Sequence, residues 1–147
     1  MTGRKKHIAT ALFLLYLAAL LCITVVRPWN GTYRFLGGSV NPKILVSYRP
    51  ILRTSLPLFL YLFGGNIVWF VPFGLYLAIC KQLRIRRVLL YGFLLSLFIE
   101  AMQFVLGTGV SEVDDLLLNT LGSGIGGLIA ACIPKRGSKQ RRGLREQ

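Results

Sequence analysis

Six polar residues stand out in this 147-residue chain because they interrupt apolar stretches: Asn66, Glu100, Gln103, Asp114, Asp115 and Asn119. Their groups are carboxylates and amides. Such groups suit proton binding, a divalent cation with oxygen ligands, or a cationic or hydroxyl-rich head group. Ser96, Glu100 and Gln103 are spaced by four and three, which places them on one helical face, with Gly107 continuing it. Asp115, Asn119, Gly122 and Gly126 share a face by the same rule. Glu100 lies about six residues, roughly 9 Å, from the end of its stretch. Asn119, one turn into the next stretch, reaches a similar depth. Each residue alone has a plain structural explanation. Asp114 and Asp115 are favoured at a helix start by its free N–H groups, and Asn66 can serve as an interhelical hydrogen bond. Together they define one polar pocket opening to the outer side, with Asn66 approaching from the preceding stretch. Neighbouring acids disfavour joint ionisation, so the pocket is expected to hold a proton, a cation or a basic partner, for which the outer arginines are candidates.

The elements that must position these groups are membrane spans. Apolar residues make up 54% of the chain and are gathered into blocks instead of spread over one face. Residues 8–26, 56–80, 88–106 and 116–133 each approach or exceed the roughly 18 residues needed to cross the hydrocarbon core. Lipid leaves an open chain no alternative to helix. The predicted fold is an all-α, integral membrane four-helix bundle spanning residues 1–133, followed by a basic tail, 134–147. The first block has a basic start but no small-residue cleavage site, and reads as an uncleaved span.

The charge of +13 does not point to nucleic acid, because the basic residues sit between the blocks and leave no soluble domain. Of the 18 Lys and Arg, thirteen lie at the start, in the second connection (Lys81, Arg84, Arg86, Arg87) and in the tail. The other five (Arg27, Arg34, Lys43, Arg49, Arg53) lie in the first connection. The larger set marks the cytoplasm, so both termini are expected inside. The long outer connection, 27–55, carries four of the breakers Pro28, Pro42, Gly37 and Gly38 among others, an Asn30-Gly31-Thr32 sequon, and an apolar patch, Ile44-Leu45-Val46, expected to rest on the membrane surface. Pro72 is expected to kink the second span, with Gly74 close by. Gly122 and Gly126 give the fourth span a small-residue face for close helix packing, or for association with a second copy. Cys22, Cys80 and Cys132 fall inside apolar blocks and read as buried hydrophobes.

Three segments carry a resemblance. Asn66-Ile67-Val68-Trp69-Phe70-Val71-Pro72-Phe73-Gly74 resembles the N-x-x-x-F-x-P-x-G signature of the VanZ-like family. Ser96-Leu97-Phe98-Ile99-Glu100-Ala101-Met102-Gln103 is similar to its S-x-x-I-E-x-x-Q segment. Val113-Asp114-Asp115-Leu116-Leu117-Leu118-Asn119-Thr120-Leu121-Gly122 is similar to its D-D-x-x-x-N-T-x-G segment. They occur in family order and spacing, over about residues 66–131. The chain departs at Glu112, where many members carry aspartate, and at Gly109, where some carry a basic residue. The resemblance implies a small bacterial membrane protein of the cell envelope, in a family whose founding member is associated with resistance to teicoplanin and whose molecular activity is unsettled.

The leading expectation is a non-enzymatic protein acting at the outer leaflet, on lipid-linked wall precursors or on the access of lipophilic glycopeptides to them. Its partners would be membrane lipids and one of those amphiphiles; no cofactor is implied, and a divalent cation stays open. The alternative is an intramembrane enzyme that binds a lipid phosphate with its carboxylates, Asn and Gln. The chain offers no credible Ser, Cys or His nucleophile, His7 being its single histidine and cytoplasmic in this reading. A third reading is an assembly partner of another membrane protein, docked through the fourth span.

Overall fold

The structure is a computed structural model that describes residues 3–26, 34–46 and 48–133. The Asn30-Gly31-Thr32 sequon, the neighbouring Arg27 and Pro28, and the basic tail lie outside the described residues. The described residues are mainly helical, with five α-helices in order: α1 (Gly3–Leu21), α2 (Tyr48–Thr54), α3 (Leu56–Ile79), α4 (Ile85–Leu106) and α5 (Val113–Cys132). Four of them, with α1 prolonged to Val26 by a π-helical turn (Cys22–Val26), are long and apolar enough to cross a membrane. Three of the four long helices outrun their apolar blocks at the N-terminal end, while α3 matches its block. α4 begins three residues before Val88 and takes Arg86 and Arg87 into its first turn; α5 begins at Val113 and takes in Asp114 and Asp115. Charged residues end an apolar block without ending a helix, because the first turn can project into the wet interface.

α5 is the central helix, packed against α3 and α4, and it owes the close fit to glycine. A Cβ on Gly122 would lie 2.1 Å from the Ile67 carbonyl oxygen, and one on Gly126 2.2 Å from that of Val71. On the α3 side, a Cβ on Gly74 would meet the Ser123 carbonyl oxygen at 1.9 Å. Backbones this close give dispersion contact along the whole crossing, which drives helix association where lipid removes the hydrophobic term. The small-residue face of α5 is therefore used within the chain. A helix from another molecule would have to meet Leu117, Leu121 and Leu128, which are about half exposed. α3 runs through Pro72 as one helix to Ile79.

α1 sits at the edge of this group. Phe13 stacks on Tyr76 at 3.7 Å between ring centroids, the Thr10 and Tyr76 hydroxyls share a 3.0 Å hydrogen bond, and the Tyr16 hydroxyl donates to the Trp69 carbonyl. Leu20 and Val25 close a buried cluster with Phe70 of α3 and Ile99 of α4. Cys22 and Cys132 are exposed on their helices and Cys80 is half-buried, so the expectation that all three are buried is corrected. The blocks that hold them face outward at those positions.

The long connection is more ordered than its Pro and Gly content suggested. The N–H groups of Arg34, Leu36 and Gly38 donate to the carbonyls of Leu106, Val105 and Phe104, so this segment caps the last turn of α4. Gly107 closes that helix in the left-handed region, φ 63°, beneath the Arg34 carbonyl. Two three-residue strands follow, β1 (Ser39–Asn41) and β2 (Val110–Glu112), paired in parallel with Asn41 opposite Glu112. The turn at 44–46 then lies over the start of α5, where the Leu45 N–H donates to both oxygens of Asp114, at 2.9 and 2.8 Å. The patch expected on the membrane surface is thus anchored by its backbone to α5. These strands, turns and α2 form a cap over one end of the bundle.

Candidate functional site beneath the cap

The first turn of α5 presents Asp114 and Asp115, and the cap decides their separate fates. Asp114 is spent on the Leu45 backbone and is 3% exposed. Asp115 looks the other way, towards α2 and α3. Its Oδ1 accepts from the Tyr48 hydroxyl at 3.1 Å and from Asn66 Nδ2, and that amide also reaches the Tyr48 oxygen at 3.2 Å. The Tyr48 ring is buried edge-on against Phe59 and Phe63 of α3, with interplanar angles of 88° and 85°. Burial first, and then the negative charge of Asp115, push the Tyr48 phenol above its usual value, so it remains a neutral donor.

One turn deeper, Asn119 Nδ2 donates to Ser96 Oγ at 2.9 Å, and Ser96 reaches the Asp115 carbonyl at 3.5 Å. Asn119 Oδ1 is buried without a hydrogen-bond partner among the described residues. Neither neighbour of Ser96 Oγ can take its proton, so nothing here activates this serine as a nucleophile.

Glu100 faces Asp115 and the strand pair. Its Oε2 accepts from the Glu112 N–H at 3.0 Å, and the Ser111 hydroxyl donates to its backbone carbonyl at 2.7 Å. Glu112 in turn accepts from Asn41 Nδ2 at 3.2 Å across the strand pair. The carboxylates of Asp115 and Glu112 both lie within electrostatic range of Glu100. Glu100 also lines a cleft of about 290 Å³ between α4 and α5 under the cap, with Val40, Leu97, Phe104, Glu112 and Leu116.

The structure thus brings Asn66 and Asp115 into direct contact, joins Asn119 to them through Ser96, and sets Glu100 within range of Asp115. It does not bring in Gln103, whose Nε2 donates to the Thr24 carbonyl of the π turn at 2.9 Å. Asp114, though adjacent, serves the cap. Tyr48 escaped the sequence reading because it lies outside the four blocks. Its only signal is an aromatic donor shortly before a span that carries Asn66. Among the described residues no three His, Cys, Asp or Glu side chains converge closely enough to hold a metal ion. The arrangement sets fixed acceptors with neutral donors behind them at the edge of an apolar cleft.

A profile of the VanZ/LLP1 family matches residues 13–134. This chain belongs to the VanZ/LLP1 family. The match takes in α1 from Phe13 onward, the other three long helices and every residue of the site. The chain is 32% identical over 62 residues to protein VanZ of Enterococcus faecium, an alignment covering 42% of this chain and 38% of that protein. The chain therefore aligns with well under half the length of VanZ. No solved structure matches the chain. With four apolar helices and this family, the chain is a multi-pass membrane protein.

Proposed function

We propose that this VanZ-family protein works at the outer leaflet of the bacterial cell membrane, with both termini inside, and that its capped end handles lipophilic envelope molecules: lipid-linked wall precursors, or glycopeptides of the teicoplanin type that act on them. The distribution of thirteen basic residues on one side and five on the other supports that orientation. The observation that carries the reading is the site beneath the cap. Asp115 is held by Tyr48 and Asn66, and Glu100 stands beside it at a cleft between α4 and α5. Such carboxylates are costly to keep at membrane depth and mark a place where something polar is met. The distant likeness to VanZ favours the glycopeptide branch of the reading.

The test is expression in a glycopeptide-sensitive Gram-positive host, with teicoplanin and vancomycin susceptibilities measured side by side. The wild-type chain should reduce susceptibility to teicoplanin more than to vancomycin, which lacks the lipid tail. Asp115→Asn should abolish the effect at unchanged protein level. Identical susceptibility with and without the wild-type chain would remove the glycopeptide branch.

A further inference from the structure

The cleft between α4 and α5 has the lining of a slot for hydrocarbon. Val40, Leu97, Ala101, Phe104, Val113 and Leu116 form its walls, and almost all the surface it presents is apolar. The Glu100 carboxylate is buried and turned onto the Glu112 N–H, so it gives the slot no polar end. Leu97 and Phe104 are seven residues apart on α4, and the slot therefore runs roughly 10 Å along a spanning helix. Leu97 is 46% exposed on that helix, so the slot opens sideways to lipid. At about 290 Å³ it has room for part of one chain and none for a head group.

The rim above it is basic. Three residues beyond Val40, Lys43 is tied by its N–H to Asn41 Oδ1, and Asn41 in turn donates to Glu112 beside the slot. Arg34 is tied by its N–H to the Leu106 carbonyl, two residues past Phe104. Both basic side chains are exposed, whereas Glu100 and Asp114 are buried and Glu112 and Asp115 half-buried. A chain in the slot thus ends beneath two exposed cations, with no exposed acid among the described residues. That rim is complementary to an anionic head.

We infer that one hydrocarbon chain of an anionic phospholipid lies in the slot, with its phosphate held at the cap by Lys43 and Arg34. This deepens the envelope reading above and rests on it, since it names the class of amphiphile that the capped end meets. The chain enters from the bilayer, because the apolar wall is the exposed one. The head stays at the wet interface, so selectivity comes from charge and not from a fitted head-group pocket.

The experiment is fluorescence quenching on the full-length chain in phosphatidylcholine vesicles containing phosphatidylglycerol, with bromine on the chains of one lipid or the other. Val40→Trp, at a 60% exposed position on the rim, is the reporter, in a background carrying Trp29→Phe and Trp69→Phe. Brominated phosphatidylglycerol should behave as bound about tenfold more tightly than brominated phosphatidylcholine at the reporter. Arg34→Gln with Lys43→Gln, both at exposed positions, should bring that ratio close to one. Ala101→Phe, also at an exposed position, should do the same by filling the slot. Arg84→Gln with Arg87→Gln, at the other end of α4, should leave it unchanged. A ratio near one with the rim and slot intact overturns the proposal. So does a preference that survives the rim pair or Ala101→Phe, or one lost with Arg84 and Arg87. The susceptibility assay separates the two claims. Anionic preference without any susceptibility phenotype sinks the glycopeptide branch alone, and a phenotype without that preference sinks this inference alone.

Discussion

Three carboxylates within a few residues take three different roles, and each role follows from what the cap offers. Asp114 receives a backbone N–H, Glu112 pairs across the strands with Asn41, and Asp115 is left to Tyr48 and Asn66. Helical spacing put Asp115 and Asn119 on one face, and in the structure Asn66 of α3 meets Asp115 while Asn119 is joined to it through Ser96. It could not assign Asp114, because that role depends on a loop folding back over the helix start. It misplaced Gln103 for another reason. The face carrying Ser96 and Glu100 turns from α5 towards the end of α1 within two turns, and a long amide follows the nearer carbonyl, that of Thr24. Tyr48 gives a direct test. Its phenol is raised in the folded state, so the contribution is fully present below its unfolded value of roughly 10 and is lost as pH rises above it. Thermal stability in detergent should hold up to about pH 10 and fall progressively above it. Tyr48→Phe should flatten that fall while costing about 1 kcal/mol at neutral pH, the usual net worth of one hydrogen bond. Parallel pH profiles for the two proteins would show that burial and Asp115 do not raise the Tyr48 phenol in the folded protein.

Helices were legible because an apolar block long enough to span announces itself without reference to the rest of the chain. The cap was not. Strands of three residues have no readable alternation, and parallel pairing of Ser39–Asn41 with Val110–Glu112 joins segments separated by two spans. The glycine pattern was readable as packing but not as a choice of partner. Glycines on α3 and α5 now divide into two kinds. Gly122 faces the Ile67 carbonyl, and a Cβ there would lie at 2.1 Å, whereas Gly64 and Gly65 have open space around theirs. Gly122→Ala should therefore destabilise the protein by roughly 1–3 kcal/mol through overpacking, since backbone cannot yield as a side chain can. Gly65→Ala should be neutral or stabilising by about 0.5–1 kcal/mol, the helical preference for Ala over Gly. Thermal unfolding of both variants in one detergent decides it. Equal effects would mean that α3 and α5 are not held at this distance.

At the scale of the whole molecule, the cap and the site share one end of the bundle, and the opposite end carries Lys81, Arg84, Arg86 and Arg87 at the turn between α3 and α4. Four long helices with short turns between the last three place the 107–112 segment and the 80–84 turn at opposite ends. Charge then decides which end faces in. The membrane potential and the anionic inner leaflet both retain Lys and Arg, and the thirteen-to-five imbalance is what supports the proposed orientation. A cysteine placed at Gly109, in a background where Cys22, Cys80 and Cys132 are replaced by Ala, should react with a membrane-impermeant maleimide on intact cells. One placed at Gln82 should react only after permeabilisation. The site depends on this result as much as the topology does. If Gly109 proves to be inside, Glu100 and Asp115 face the cytoplasm, out of reach of a glycopeptide added from outside, and the outer-leaflet reading fails whatever the cleft binds.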